Sequence, residues 1–442
     1  MKRKIASVVT TAKAAVPEGT GVVGAGLVVA ALCGYIFVVI ALNALDGDAK
    51  AAFSAFWAVV FVIGPGFFLP LEQEVGRALA HRRVQQQGGR PVVARAAQIG
   101  GAITVVLIIA TLALSGVLGE HLFNGYTFLS VALAASLIGF LAAHLSRGVL
   151  AGEGRFRPYG ELIGLDAVLR LVLVIALVVI GVSTPGWIGM CIAVSPLLAL
   201  PIALRSQRKL LQPGPPAPVS ELSVNIGWLL AASVFMQALA YSPLLGINIL
   251  GGDSETEIVA GFASAFFIAR VPVLAYQSVQ GTLLPKLAGL AGSGRHDEFR
   301  RGMTRLLTVV TVIGVVGAVG AFFVGVPVGE KLFNDFTMGA GGLALLTAGS
   351  GAFIFALTLA QALMALGAHR LTAVSWGVGL IIAVAVMIPI SDLELRVDLG
   401  FLVGCIAAAI VMGIGLQRRQ RQIADGSIGN LITAIEQDPI EL

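Results

Sequence analysis

Along the chain, apolar stretches of about 20 residues, the length that crosses a bilayer as a helix, alternate with short polar breaks. About twelve such stretches occupy residues 20–42, 51–71, 96–118, 126–149, 160–182, 186–204, 223–250, 258–284, 306–328, 340–366, 371–391 and 399–416. None shows the strand-like alternation of a barrel wall, and lipid-facing irregular backbone would leave its polar groups unsatisfied, so each stretch predicts an α-helix. Composition agrees. At 57% hydrophobic and 12% charged residues, with a mean hydropathy of +0.93, the 442-residue chain has too little polar surface for a water-soluble domain.

The polar breaks predict orientation. Of the 29 Lys and Arg, 24 fall in the two ends and the even-numbered connections, and only Lys50, Lys331 and Arg396 fall in the odd-numbered ones. Basic connections stay in the cytoplasm, so both termini are expected there, in a multi-pass membrane protein. The net charge of +5 is then a topology signal with some attraction to anionic membrane lipids, and nucleic acid is not an expected partner. The first stretch lies too far from the start and is too long for a removed signal peptide, and residues 2–16 read as an interfacial basic helix. Cys33, Cys191 and Cys405 fall at unrelated positions within spans, which predicts neither a disulfide framework nor a metal cluster.

The chain also repeats itself. GEHLFNGYT at 119–127 returns as GEKLFNDFT at 329–337, identical at six of nine positions, and ALNALDGD at 41–48 returns as GINILGGD at 246–253. Both pairs fall after the first and third helices of each half, where similarity of greasy helices alone would not align polar residues. The fold expected is an all-α polytopic membrane protein: about twelve transmembrane helices in two parallel six-helix repeats around a central cavity. The parts are an interfacial segment 1–19, a bundle 20–204, a Pro-rich linker 205–222, a second bundle 223–416 and a tail 417–442.

Catalytic machinery is hard to find. No phosphate-binding loop and no H-E-x-x-H pair occur, the five His are scattered, and the outward connections are too short for a large catalytic loop. The chain is read as a non-enzyme without a cofactor. Charges inside spans are more informative. Arg270 lies about 20 Å from the outward end of the eighth span at 1.5 Å per residue, where facing lipid would cost roughly 3–17 kcal/mol. It must face protein or water, either as a pathway group or as bundle glue neutralised from another helix. Asp166 and Arg170, four apart on the fifth span, read as a structural pair. Candidate substrate-binding residues are Arg270, Gln277 and Gln280 on the eighth span; Gln237, Tyr241 and Asn248 beside Pro243 on the seventh; and Glu72 and Gln73 at the end of the second. Interhelical glue is an equal reading of the seventh-span group, and depth places Glu72 at a solvated interface. A guanidinium suits phosphate or pyrophosphate oxygens, and amides and phenols suit sugar hydroxyls.

Three stretches carry a family resemblance: FFLPLEQEVGRALAHRR (67–83), RGVLAGEGRFRPYG (147–160) and ARVPVLAYQSVQGTLLPKLAGLAG (269–292). With the two six-helix halves, they make the chain resemble bacterial polysaccharide-export proteins of the multidrug, oligosaccharidyl-lipid and polysaccharide exporter (MOP) superfamily. The resemblance implies a flippase that carries a polyprenyl-pyrophosphate-linked saccharide outward by alternating access, alongside other polysaccharide-assembly proteins. It also implies a cationic cavity lined by the first, second, seventh and eighth helices, and Arg270 matches the basic residue expected on the eighth. The first span departs from this pattern in having no basic residue, and the chain lacks the two further helices usual in peptidoglycan-precursor flippases. Alternatives are a cation-coupled multidrug exporter of the same superfamily and a membrane-embedded polysaccharide polymerase or ligase. A major facilitator carrier would want a G-x-x-x-D-R-x-G-R-R signature, which ALAHRRVQQQGGR does not supply.

Overall fold

The computed structural model describes residues 20–207, 210–222, 226–252, 255–274, 276 and 296–437, the side chains of 20, 219–220, 296–297 and 422–437 excepted. The expected interfacial segment 1–19, part of the linker, and Gln277 and Gln280 lie outside these residues. All regular structure among the described residues is helical: α1 (Thr20–Asn43), α2 (Gly47–Val84), α3 (Arg90–Ala113), α4 (Ser115–His121), α5 (Phe128–Gly152), α6 (Phe156–Val179), α7 (Pro185–Leu204), α8 (Ile226–Ala240), α9 (Ser242–Leu250), α10 (Thr256–Ala269), α11 (His296–Gly320), α12 (Val326–Leu332), α13 (Ala340–Ala365), α14 (His369–Met387) and α15 (Leu393–Gln437), with a 3-10 turn at Val219–Leu222 and a π turn at Ala321–Gly325. Twelve spans are long and apolar enough to cross a membrane, the seventh made of α8 and α9 and the ninth running through α11 and α12.

Several span ends differ from the expectation, each for a visible reason. The second stretch was expected to end at residue 71, and α2 continues unbroken through Pro65 and Pro70 to Val84. Its charged end is not dissolved in water: Glu72, Glu74 and Arg82 are all buried and partnered. The third span begins six residues early, at Arg90, where Pro91 suits the first helical turn. The seventh is interrupted at Tyr241, just before Pro243. The eighth turns at Arg270 before a short helical continuation to Leu274. The last helix starts at Leu393 and runs on to Gln437.

By internal packing the chain forms two units. The first holds the residues up to Ile268 together with Val326–Gly339, and the second holds Ala269–Gly325 and Ala340 onward. In the first unit α2 is central, with Ala51–Ala58 buried without interruption. Small residues let backbones touch: a Cβ on Gly26 of α1 would collide with the Gly160 carbonyl of α6. In the second unit Gly314 of α11 and Gly351 of α13 make the same kind of approach, a Cβ on either lying within 2.9 Å of the other's Cα.

The sequence repeat is also a structural one. Each copy of the G-E-x-L-F-N motif ends a seven-residue helix, α4 or α12, and buries its phenylalanine, Phe123 or Phe333. The second copy packs in the first unit, where Asn43 donates from Nδ2 to the Leu332 carbonyl at 2.7 Å and accepts from the Asn334 amide at 3.0 Å.

A buried polar cluster in the first unit and two ionisable residues within spans of the second

In the first unit, α2, α5 and α6 bring three polar groups onto one carboxylate. His144 Nδ1 lies 2.7 Å from Glu72 Oε2, the Tyr159 hydroxyl donates to Oε1 at 3.0 Å, and Arg147 Nε stands 3.4 Å from Oε2. The imidazole proton therefore sits on Nδ1, facing the carboxylate. One turn of α5 separates His144 from Arg147, so both reach the same spot, and Phe140 stacks on the imidazole at 6.0 Å. Glu72 is 8% exposed. The expected solvated carboxylate is in fact the centre of a buried network, because three other helix positions supply the donors that water would have supplied.

A second cluster adjoins it. Asp166 and Arg170 form the expected pair, NH2 to Oδ2 at 3.1 Å, and the Ser195 hydroxyl of α7 adds a 2.6 Å hydrogen bond to Asp166 Oδ1. His144, Arg147, Asp166 and Arg170 share a cavity of about 220 Å³ with Phe61 and Phe140. The lining itself holds one carboxylate, Asp166, and two guanidiniums, Arg147 and Arg170; Glu72 pairs with Arg147 but is not among the lining residues, so the cavity wall is polar with more basic than acidic groups.

The other candidates are dispersed. Gln73 is exposed on α2. Gln237 Nε2 donates to the Phe61 carbonyl at 2.9 Å. That carbonyl is the one orphaned by Pro65, which lacks the amide proton a residue four positions later would supply. Asn248 donates to Ser54 Oγ at 3.0 Å and to Leu244 of its own helix at 2.7 Å. Tyr241 is half-buried and stacks on Phe61, ring centroids 6.0 Å apart. The amide groups of Gln237 and Asn248 thus each make a hydrogen bond to α2.

In the second unit Arg270 is half-buried at the turn after α10, its guanidinium 5.8 Å from the centroid of the Phe353 ring. A cavity of about 1,210 Å³ along α11, α13 and α15 of this unit is apolar except for threonines and the end formed by Arg300, Gln417, Gln420 and Arg421. Its walls are chemically those of an apolar furrow rather than a polar binding site. Asp398, on α15, is fully buried, and neither carboxylate oxygen has a hydrogen-bond partner.

Sequence reasoning missed His144, Arg147, Tyr159 and Asp398. Residues 72 and 87 positions from Glu72 leave no periodic signature. Asp398 was placed just outside the last span. The signal for its true place was Asp392, whose Oδ1 accepts the Leu395 amide at 2.8 Å and so caps a helix that begins earlier. Among the described residues no group of three or more His, Cys, Asp or Glu could hold a metal ion, and the three cysteines are free.

No family model matches the chain. Relatives extend over most of its length: an uncharacterized protein of Mycobacterium bovis is 27% identical over 413 residues, covering 90% of this chain and 91% of its own, and an uncharacterized protein of Mycobacterium tuberculosis is 28% identical over 409 residues with the same coverage. Solved structures resemble it more broadly. A multidrug resistance MATE family transporter of the MOP superfamily in its inward-facing conformation superposes with a TM-score of 0.70 at 15% identity, covering 88% of this chain and 95% of that one. A MOP superfamily transporter from Pyrococcus furiosus, described as having a binding pocket of reversed polarity, reaches 0.69 at 16% identity, covering 92% and 95%. The chain therefore has the helical fold of MATE-type transporters of the MOP superfamily.

Proposed function

We propose that the protein is an alternating-access exporter that moves a polyprenyl-pyrophosphate-linked saccharide across the bacterial cytoplasmic membrane, with both termini in the cytoplasm. The observation that carries this reading is Arg270, a guanidinium kept half-buried at a turn within a membrane span. Such a group is costly to hold in a bilayer and marks a path for something negative. Its planar fork of donors matches the oxygens of a pyrophosphate, and Phe353 supports the guanidinium from one face. The polyprenyl tail stays in lipid. The fold shared with MOP superfamily transporters supports transport rather than catalysis, and polysaccharide-assembly proteins are the partners that would make and use the substrate.

The test is genetic and chemical together. In a deletion strain, surface polysaccharide falls and the lipid-linked saccharide accumulates; wild type restores both, Arg270→Ala restores neither at equal membrane abundance, and Arg270→Lys restores them in part. Unchanged glycans with altered sensitivity to cationic drugs would instead make the protein a multidrug exporter. An Arg270→Ala variant with full surface polymer would remove the arginine from the path.

A further inference from the structure

Asp398 lies about five residues into α15, inside the twelfth span, with no solvent exposure and no hydrogen-bond partner on either oxygen. The helices packed on α15 bring it no cation. α13 has no ionisable side chain, and the only ones on α14, His369 and Arg370, stand at its opposite end, roughly 25 Å from Met387, which packs on Gly400 of α15. Arg396 projects from a face of α15 about 160° away. Arg270 lies against Phe353, and its field reaches α15 at Cys405, about 10 Å further along the helix. The charges that act on Asp398 have its own sign: Glu394, one turn earlier and half-buried, and Asp392, exposed at the helix cap.

An ionised carboxylate so placed would cost several kcal/mol, since nothing replaces its lost hydration. A bound cation removes that cost, and the acids do not converge as a metal cage would require. We propose that Asp398 is a proton-binding site of the second unit, filled from water at the Leu393 end of α15 by way of Asp392 and Glu394. Their exposure falls step by step, from open to half-buried to fully buried, as a proton relay into a membrane requires. The reaction is the formation of one O–H bond on the Asp398 carboxylate. Its use as the driving cation rests on the transport reading above; the binding itself does not.

The experiment is infrared difference spectroscopy on the full-length protein in lipid nanodiscs, titrated with pH in light and heavy water. One buried carboxylic-acid carbonyl band per chain, which shifts in heavy water and is missing from Asp398→Asn, is the expected result. Glu394→Gln should keep the band but slow its exchange severalfold, and it serves as the deciding variant if Asp398→Asn does not fold. Identical spectra for wild type and Asp398→Asn, or no such band in wild type, would overturn the proposal. So would a band that disappears on adding sodium at constant pH, which would make the site a sodium site. Export of lipid-linked saccharide can fail or succeed independently of these readouts.

Discussion

The Lys50 ammonium lies 2.7 Å from the Asp335 carboxylate, joining segments 285 residues apart, one from each copy of the sequence repeat. The two partners differ in environment: Lys50 is fully buried, whereas the Asp335 side chain is 49% exposed. Removing the aspartate strands a buried cation, which costs about 3–5 kcal/mol. Removing the lysine leaves a carboxylate that water can solvate, at a cost of about 0–1 kcal/mol. Asp335→Asn should therefore lower the melting temperature of the purified protein much more than Lys50→Met. Equal shifts would mean that the pair is an ordinary surface bridge.

The Glu72 cluster makes a graded prediction. Tyr159→Phe deletes one hydrogen bond and should cost about 1 kcal/mol, while Glu72→Ala leaves Arg147 and His144 without their shared acceptor and should cost about 3–5 kcal/mol. Because the residues act together, adding Arg147→Met to Glu72→Ala should recover part of the loss rather than add to it. Thermal unfolding of the four proteins checks the order, and additive losses would show that the groups are independent.

How much of this was legible in the sequence follows from the kind of signal each feature leaves. Spans are written in hydropathy, so their number and helical character could be read directly. Their ends could not, because a run such as Glu-Gln-Glu looks soluble until its partners are known. Here Glu72 finds His144 and Tyr159, and Glu74 finds Arg77. The Asp166–Arg170 pair was readable because both residues share one helix, whereas the Glu72 cluster joins three. Gln237 was visible as a polar residue in a span, but its role depends on Pro65 of another helix, which only the packing reveals.

The Pro-rich segment after α7 is held by a cluster of hydrogen bonds centred on Arg82, with Arg77 donating to the Glu221 carbonyl at 2.8 Å and the Arg90 amide to the Gln212 carbonyl at 3.0 Å. Arg82, 3% exposed, donates to both Glu221 oxygens and to the carbonyls of Gly88, Pro215 and Pro216. Ala217 and Leu222 pack with Leu71, Val75, Leu79 and Val92 beside it. Arg82→Ala leaves those carbonyls and the Glu221 carboxylate without a donor, so residues 210–222 should lose their seat. Limited proteolysis should cut this segment at least tenfold faster in the variant, with the spans intact. An unchanged cutting rate would assign the seat to the apolar contacts and to the Arg77 and Arg90 hydrogen bonds.

The tight backbone contact of α1 with α6 yields a matched pair of substitutions. A side chain on Gly160 would run into the carbonyl and Cα of Val22 and Val23, which are backbone atoms and cannot rotate away. Gly24, two residues further along α1, has nothing within 4 Å of where its Cβ would be. In a bilayer close packing itself holds helices together, because lipid tails are as apolar as the side chains they replace. Gly160→Val should therefore separate the two helices and cost about 1–3 kcal/mol or more from overpacking, lowering the yield of folded protein. Gly24→Val adds the same side chain to open space and should leave yield and melting temperature within about 0.5 kcal/mol of wild type. Equal behaviour of the two variants in detergent-resistant folding assays would show that the α1–α6 approach is looser than the structure places it.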